Sequence, residues 1–98
     1  MAFAIDPEGV ETAVIHGMVD FRGKRVLELG AGDGRLTWRY ADLAGAVHAI
    51  EPKALLVDQA RAATPAHLRD RVTFEVADAA TWEPPTGAFD AVLFARSL

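Results

Sequence analysis

A chain of 98 residues has room for one domain, and its net charge of −4, from Asp+Glu 14 against Lys+Arg 10 with the basic residues scattered, argues against nucleic-acid binding by bulk electrostatics. The absence of cysteine excludes disulfides, thiolate metal sites and cysteine nucleophiles. No apolar stretch approaches the roughly 20 residues that cross a bilayer, and Asp6 and Glu8 break the only apolar start, so no membrane partner is expected and the cytoplasm is the default location.

From Asp6 to Val19, residues Val10, Val14 and Met18 recur four apart, the spacing of one helical face, with Pro7 as the first helical position behind an N-cap at Asp6. Phe21-Arg22-Gly23-Lys24 then reads as a turn into a strand. Arg25 to Leu29 has the length and apolar content of a buried strand. Glu28 is its odd member: an unpaired carboxylate between Leu27 and Leu29 is costly to bury, which directs it towards a polar ligand rather than the core. Gly30, Gly32 and Gly34 follow, and glycine lets the backbone turn sharply and approach a ligand that side chains would exclude.

Beyond Gly34, Leu36, Tyr40 and Leu43 return to helical spacing, and Gly45 is placed to end that helix. Trp38 and Tyr40 on it are packing residues, and Asp33 and Arg35 in the preceding turn form a local ion pair of little energetic weight. Ala46 to Ile50 is a short apolar strand interrupted by His48, with Glu51 at its carboxyl end and Pro52 opening the next helix. That helix, Lys53 to Thr64, carries Leu56, Ala60 and Ala63 on its apolar face, leaves Asp58, Gln59 and Arg61 for water, and ends at Pro65. Val72, Phe74 and Val76 alternate with Thr73 and Glu75, the pattern of a half-exposed strand near a sheet edge, and Asp78 lies just past it. Trp82 to Gly87, with Pro84-Pro85, is a loop, and Phe89 to Ala95 is a last apolar run of strand length. This alternation is the order of a parallel α/β sheet. His16, His48 and His67 stand at no metal-ligand spacing, so no metal is assigned.

Three features carry chemistry. The glycines of Gly30, Gly32 and Gly34 stand between a strand and a helix, where they form either a ligand turn or a plain tight connection. Glu51, about 20 residues beyond Gly30, either accepts hydrogen bonds from two ribose hydroxyls or is an exposed carboxylate near a helix start. Asp78 closes the third strand, where the same cleft would continue. A dinucleotide fingerprint needs its third glycine at position 35, which is Arg35; this chain places it at Gly34.

From about Arg25 to Leu98 these residues resemble the class I, seven-stranded S-adenosylmethionine-dependent methyltransferases. Val26 to Gly34 is similar to the family's first motif, Ala49-Ile50-Glu51-Pro52 to its second, Val76-Ala77-Asp78-Ala79 to its third, and Phe89 to Ala95 to its fourth strand. The resemblance implies a three-layer Rossmann-like parallel sheet, present in part as four strands in the order 3-2-1-4 with helices on both faces. It implies S-adenosyl-L-methionine as cofactor, with Gly30, Ala31 and Gly32 under its methionine and ribose part and Glu28 near its ammonium end. Glu51 would hold the ribose hydroxyls, Pro52 pack on the adenine, Asp78 accept from the adenine amino group, and the Ala79 N–H meet a ring nitrogen. The backbone at Phe94 and Ala95 would close the methionine end. Trp82 either borders the adenine or covers the core.

On that template the chain stops after the fourth strand and reads as the cofactor-binding half of a larger enzyme. The far edge of Phe89 to Ala95 is then apolar and unpaired, a route to a homodimer. The methyl acceptor is undetermined and no residue is assigned as catalytic. Competing readings are a non-catalytic nucleotide-binding module, an assembly module that dimerises through that edge, and an NAD-binding dehydrogenase fragment.

Overall fold

The computed structural model describes residues 2–5 and 21–95. Among the described residues five strands form one sheet: β1 (Ala2–Ile5), β2 (Arg25–Leu29), β3 (Ala46–Glu51), β4 (Val72–Val76) and β5 (Ala91–Ala95). All pairings are parallel, in the order β1-β5-β2-β3-β4. The expected four-strand order is therefore present as β4-β3-β2-β5. It also creates a topological switch at β2, whose neighbours are the next strand on one side and the last on the other, and ligands of open α/β sheets bind beyond the strand ends at such a point.

The far edge of β5 departs from expectation. It is not free: β1 pairs along it in parallel, with Ala2 opposite Val92 and Ile5 opposite Ala95. An unpaired row of backbone donors and acceptors is thereby satisfied within the chain. The helix expected over Asp6 to Val19 lies outside the described residues.

Two α-helices are described, α1 (Thr37–Tyr40) and α2 (Ala54–Ala63), with a 3₁₀ turn at Ala66–Leu68. Residues paired in a parallel register share a face, so Val26 and Glu28, Val47, Ala49 and Glu51, Val72 and Phe74, and Leu93 line one side of the sheet. Phe21, Leu36, Tyr40, Val57, Ala60 and Leu68 close the main core over that side. Phe21 and Tyr40 meet with ring centroids 4.8 Å apart, and Trp38 stands edge-on to Phe74 at 5.7 Å, so both helix aromatics pack as expected.

The helix expected to run to Gly45 stops at Tyr40. Residues 43–45 are claimed by the turn before β2: Gly23 N–H donates to the Leu43 carbonyl, Gly45 N–H to that of Lys24, and Arg22 bridges Ala44. A Cβ on Gly45 would lie 2.8 Å from the Gly23 carbonyl oxygen, so the chain crosses too closely for a side chain there. Leu43 consequently faces solvent. On α2 the buried residues are Val57 and Ala60, with Thr64 just beyond, rather than the predicted Leu56 and Ala63. Asp58, Gln59 and Arg61 are exposed as expected, and the Arg61 guanidinium also donates to the Phe74 carbonyl on edge strand β4 at 2.7 Å.

Candidate functional site

The glycine turn leaves β2 at the switch point and folds across the end of β3. Gly30, Gly32 and Gly34 take φ values of 77°, 61° and 91°, in the left-handed region that side chains disfavour. Gly30 and Ala31 N–H both donate to the Ile50 carbonyl, at 3.0 and 3.1 Å, and Gly34 N–H to that of Ala31 at 3.2 Å. The last two glycines differ in what they avoid. A Cβ on Gly34 would come within 2.8 Å of the Trp38 ring and 3.4 Å of Ala60, so Gly34 answers to packing under the helix. A Cβ on Gly32 would meet nothing within 4 Å among the described residues, which leave the space above it open.

Glu51 joins the strand ends. Its carboxylate is buried, 3% exposed, where the alternative reading required an exposed one. Oε1 accepts from Gly32 N–H at 2.9 Å and Oε2 from Lys53 N–H at 3.0 Å. Its backbone carbonyl accepts from Ala77 N–H at 3.1 Å. One acid thus ties the glycine turn, the start of α2 and the segment after β4. Each oxygen retains a second lone pair for a ligand hydroxyl. Pro52 beside it is exposed.

Asp78 and Ala79 are exposed at the end of β4. The Asp78 carboxylate accepts from Ala80 N–H at 2.9 Å, and its carbonyl from Thr81 and Trp82 N–H at 3.0 and 2.9 Å. Phe94 pairs with Leu29 on one side and Ala4 on the other, with its side chain 42% exposed, and Ala95 ends the strand. Gly30 to Gly32, Glu51, Pro52, Asp78, Ala79, Phe94 and Ala95 thus border the same ends of adjacent strands.

Glu28 does not face a cleft. It is fully buried on the core side, where Thr37 Oγ1 donates to its Oε1 at 2.9 Å and Tyr40 hydroxyl to the same oxygen at 2.5 Å. The expectation that it turns from the core is corrected by these two donors, which offset the cost of burial. Thr37 and Tyr40 were legible only as helix residues; their three-residue spacing, which sets them on one helical face with Leu36, was the available signal. Its Oε2 is buried with no partner among the described residues. Burial raises the Glu28 carboxyl from 4.5 to about 7, against the opposing pull of Tyr40 and Thr37. Burial and the adjacent Glu28 push the Tyr40 phenol well above its usual range.

Other polar residues shape the surround. Asp33 and Arg35 pair at 3.0 Å as expected, holding the Asp33 carboxyl below its ordinary value through the hydrogen bond from Arg35. Asp90 accepts from both the backbone and the guanidinium of Arg25, a pairing of the starts of β2 and β5 that the sequence reading missed, and is lowered to about 2. His67 sits on the surface against Asp42 at 2.7 Å, while His48 contacts Thr73 and Glu75 on the sheet face away from the main core. His16 lies outside the described residues. No helix among the described residues is long and apolar enough to cross a membrane.

A parallel sheet with a glycine turn at its switch point and a buried acid at the neighbouring strand end defines a nucleotide-binding α/β protein. The chain belongs to the methyltransferase-domain family, whose model matches residues 26–98. It is 37% identical over 79 residues to a magnesium-protoporphyrin O-methyltransferase of Rhodobacter capsulatus, covering 81% of this chain and 34% of that protein. It is 35% identical over 86 residues to protein-L-isoaspartate O-methyltransferase 1 of Rhodopseudomonas palustris (strain HaA2), covering 88% and 35%. Among solved structures, an S-adenosylmethionine-dependent methyltransferase from Mesorhizobium loti superposes with a TM-score of 0.71 at 26% identity, over 90% of this chain and 40% of that one. The chain spans about a third of the length of the curated relatives it matches.

Proposed function

We propose that this chain is the donor-binding part of an S-adenosyl-L-methionine-dependent methyltransferase. The observation that carries the reading is Glu51, buried at the end of β3 and bonded to Gly32 N–H beside open space. That arrangement fits a ribose: the carboxylate is held in place before the ligand arrives, and the turn presents backbone rather than side chains. Pro52 and Asp78, exposed on either side of the Glu51–Ala77 bond, fit the adenine, with the Ala79 N–H beside them.

The methionine end fits less directly. Glu28 is sealed beneath α1, so its unpartnered Oε2 would act on an ammonium group through the field or through a water, while Gly30, Ala31 and the backbone at Phe94 and Ala95 lie closer to the strand ends. When bound, the cofactor supplies an electrophilic methyl group on a sulfonium. The residues of this chain would bind and orient that donor; proximity and exclusion of water are what methyl transfer chiefly requires of a protein. The acceptor is left open. A cytoplasmic location, with no membrane or nucleic-acid partner, belongs to the same proposal, and fractionation of cells expressing the tagged chain tests it.

Calorimetric titration with S-adenosylhomocysteine is the direct test. Binding by the wild-type chain, weakened at least tenfold in Glu51→Ala as expected for loss of hydrogen bonds to a charged acceptor, supports the reading. A folded sample that ignores this ligand, or that prefers NAD, overturns it.

A further inference from the structure

Trp82 lies over the sheet face opposite the main core. Its indole Nε1 donates to Glu75 Oε2 at 3.1 Å, and its ring centroid sits 5.6 Å from that of His48. Glu75 Oε1 is 2.8 Å from His48 Nε2, and His48 Nδ1 is 2.6 Å from Thr73 Oγ1. Phe89 stacks on the His48 ring at 6.3 Å and meets Trp82 at the same distance. Both ends of the segment between β4 and β5 therefore close on one histidine of β3.

The first part of that segment is the turn bearing Asp78 and Ala79. Trp82 N–H donates to the Asp78 carbonyl at 2.9 Å, so the indole and Asp78 belong to one hydrogen-bonded turn. The turn is anchored twice, at Ala77 by the Glu51 carbonyl and at Trp82 by the Glu75 carboxylate. Without the second anchor, the exposed turn bearing Asp78 would be held at Ala77 on one side and not again until Phe89 on the other. Telling an amino group from a carbonyl on a ring requires an acceptor held within a few tenths of an ångström, which an exposed loop does not provide unaided.

Resting on the reading that Asp78 and Ala79 meet the adenine ring, we propose that Trp82 and Glu75, steadied by His48, are positioning residues that set the adenine specificity of this turn. None of the three touches the ligand. They act by holding Asp78 where it can accept from the exocyclic amino group.

The experiment is titration of the wild type, Trp82→Phe, Glu75→Ala and Glu75→Gln with S-adenosylhomocysteine and with S-inosylhomocysteine, which bears a carbonyl in place of the amino group. The wild type is expected to prefer the adenine compound. Trp82→Phe, which keeps a ring but loses the donor, and Glu75→Ala should each cut that preference roughly fivefold, the effect of one hydrogen bond of ordinary strength. Glu75→Gln, whose carboxamide oxygen still accepts from the indole, should retain it. Equal weakening of both ligands, or an unchanged preference in Trp82→Phe and Glu75→Ala, would overturn the positioning role while leaving the donor site intact. A folded wild type that binds neither compound would remove the donor site and this proposal together. Amide exchange of Ala80 and Trp82 in the unliganded chain gives a second measurement: faster exchange in Trp82→Phe is expected, and unchanged rates count against the tether.

Discussion

At the scale of single residues, Glu28 governs how stability responds to pH. Its carboxyl is raised from 4.5 to about 7 by burial, so between those values the folded chain holds a proton that the unfolded chain has lost. Stability therefore falls as pH rises through this window and levels off above it, by about 3 kcal/mol from the shift alone. Glu28→Gln should abolish that slope, which urea unfolding at pH 5 and pH 8 would reveal; an identical slope in the variant would show that other groups set it. The glycines separate in the same manner. Gly34→Ala should cost about 2 to 3 kcal/mol, since it adds a 2.8 Å clash with Trp38 to a positive φ. Gly32→Ala, strained but unopposed by neighbours, should cost only about 1 kcal/mol of stability, with its larger effect on binding of S-adenosylhomocysteine. Spacing alone placed Gly34 in the ligand turn; that it packs under Trp38 depended on where the helix lands, which no local pattern encodes.

Elements were legible where the pattern is local and obscure where partners are distant. The alternation of Val72, Phe74 and Val76 announced the edge strand β4, and the apolar run Arg25–Leu29 announced a buried strand, as it is from Val26 to Glu28. The halt of α1 at Tyr40 could not be read, because Leu43 and Gly45 keep a helical sequence pattern yet bond to Gly23 and Lys24, about twenty residues earlier. β1 was hidden for a similar reason: four residues, Ala2–Ile5, carry too little periodicity to identify a strand, and their partner β5 lies at the other end of the sequence. Its effect is to cover the apolar edge of β5 and to make the short β1 the outer strand of the sheet. Association through β5 would first have to displace β1. A variant lacking residues 1–5 should therefore associate with rising concentration in light scattering while the full chain does not, and identical scattering from both would show that β1 does not guard that edge.

At the scale of the whole molecule, the site and the stability of the sheet depend on the same bonds. Glu51 fastens the glycine turn, the start of α2 and the segment after β4, so a ligand bound there as proposed would press together three connections at the strand ends. A folded chain of 98 residues buries a modest fraction of its surface and has little stability to spare, which makes the free energy of binding large beside that of folding. A ligand at a hundred times its dissociation constant adds about 2.7 kcal/mol to the folded state. For a domain of this size that corresponds to a rise in Tm of roughly 10 to 20 °C. S-adenosylhomocysteine at that excess should produce such a rise in the wild type, and NAD should produce none. Glu51→Ala should lower Tm without ligand, because Gly32 and Lys53 N–H lose their acceptor, and should lose most of the ligand-induced rise at the same concentration. A variant that unfolds earlier yet keeps the full rise would assign Glu51 to holding the sheet ends together and would move the ribose contact to another group at the strand ends.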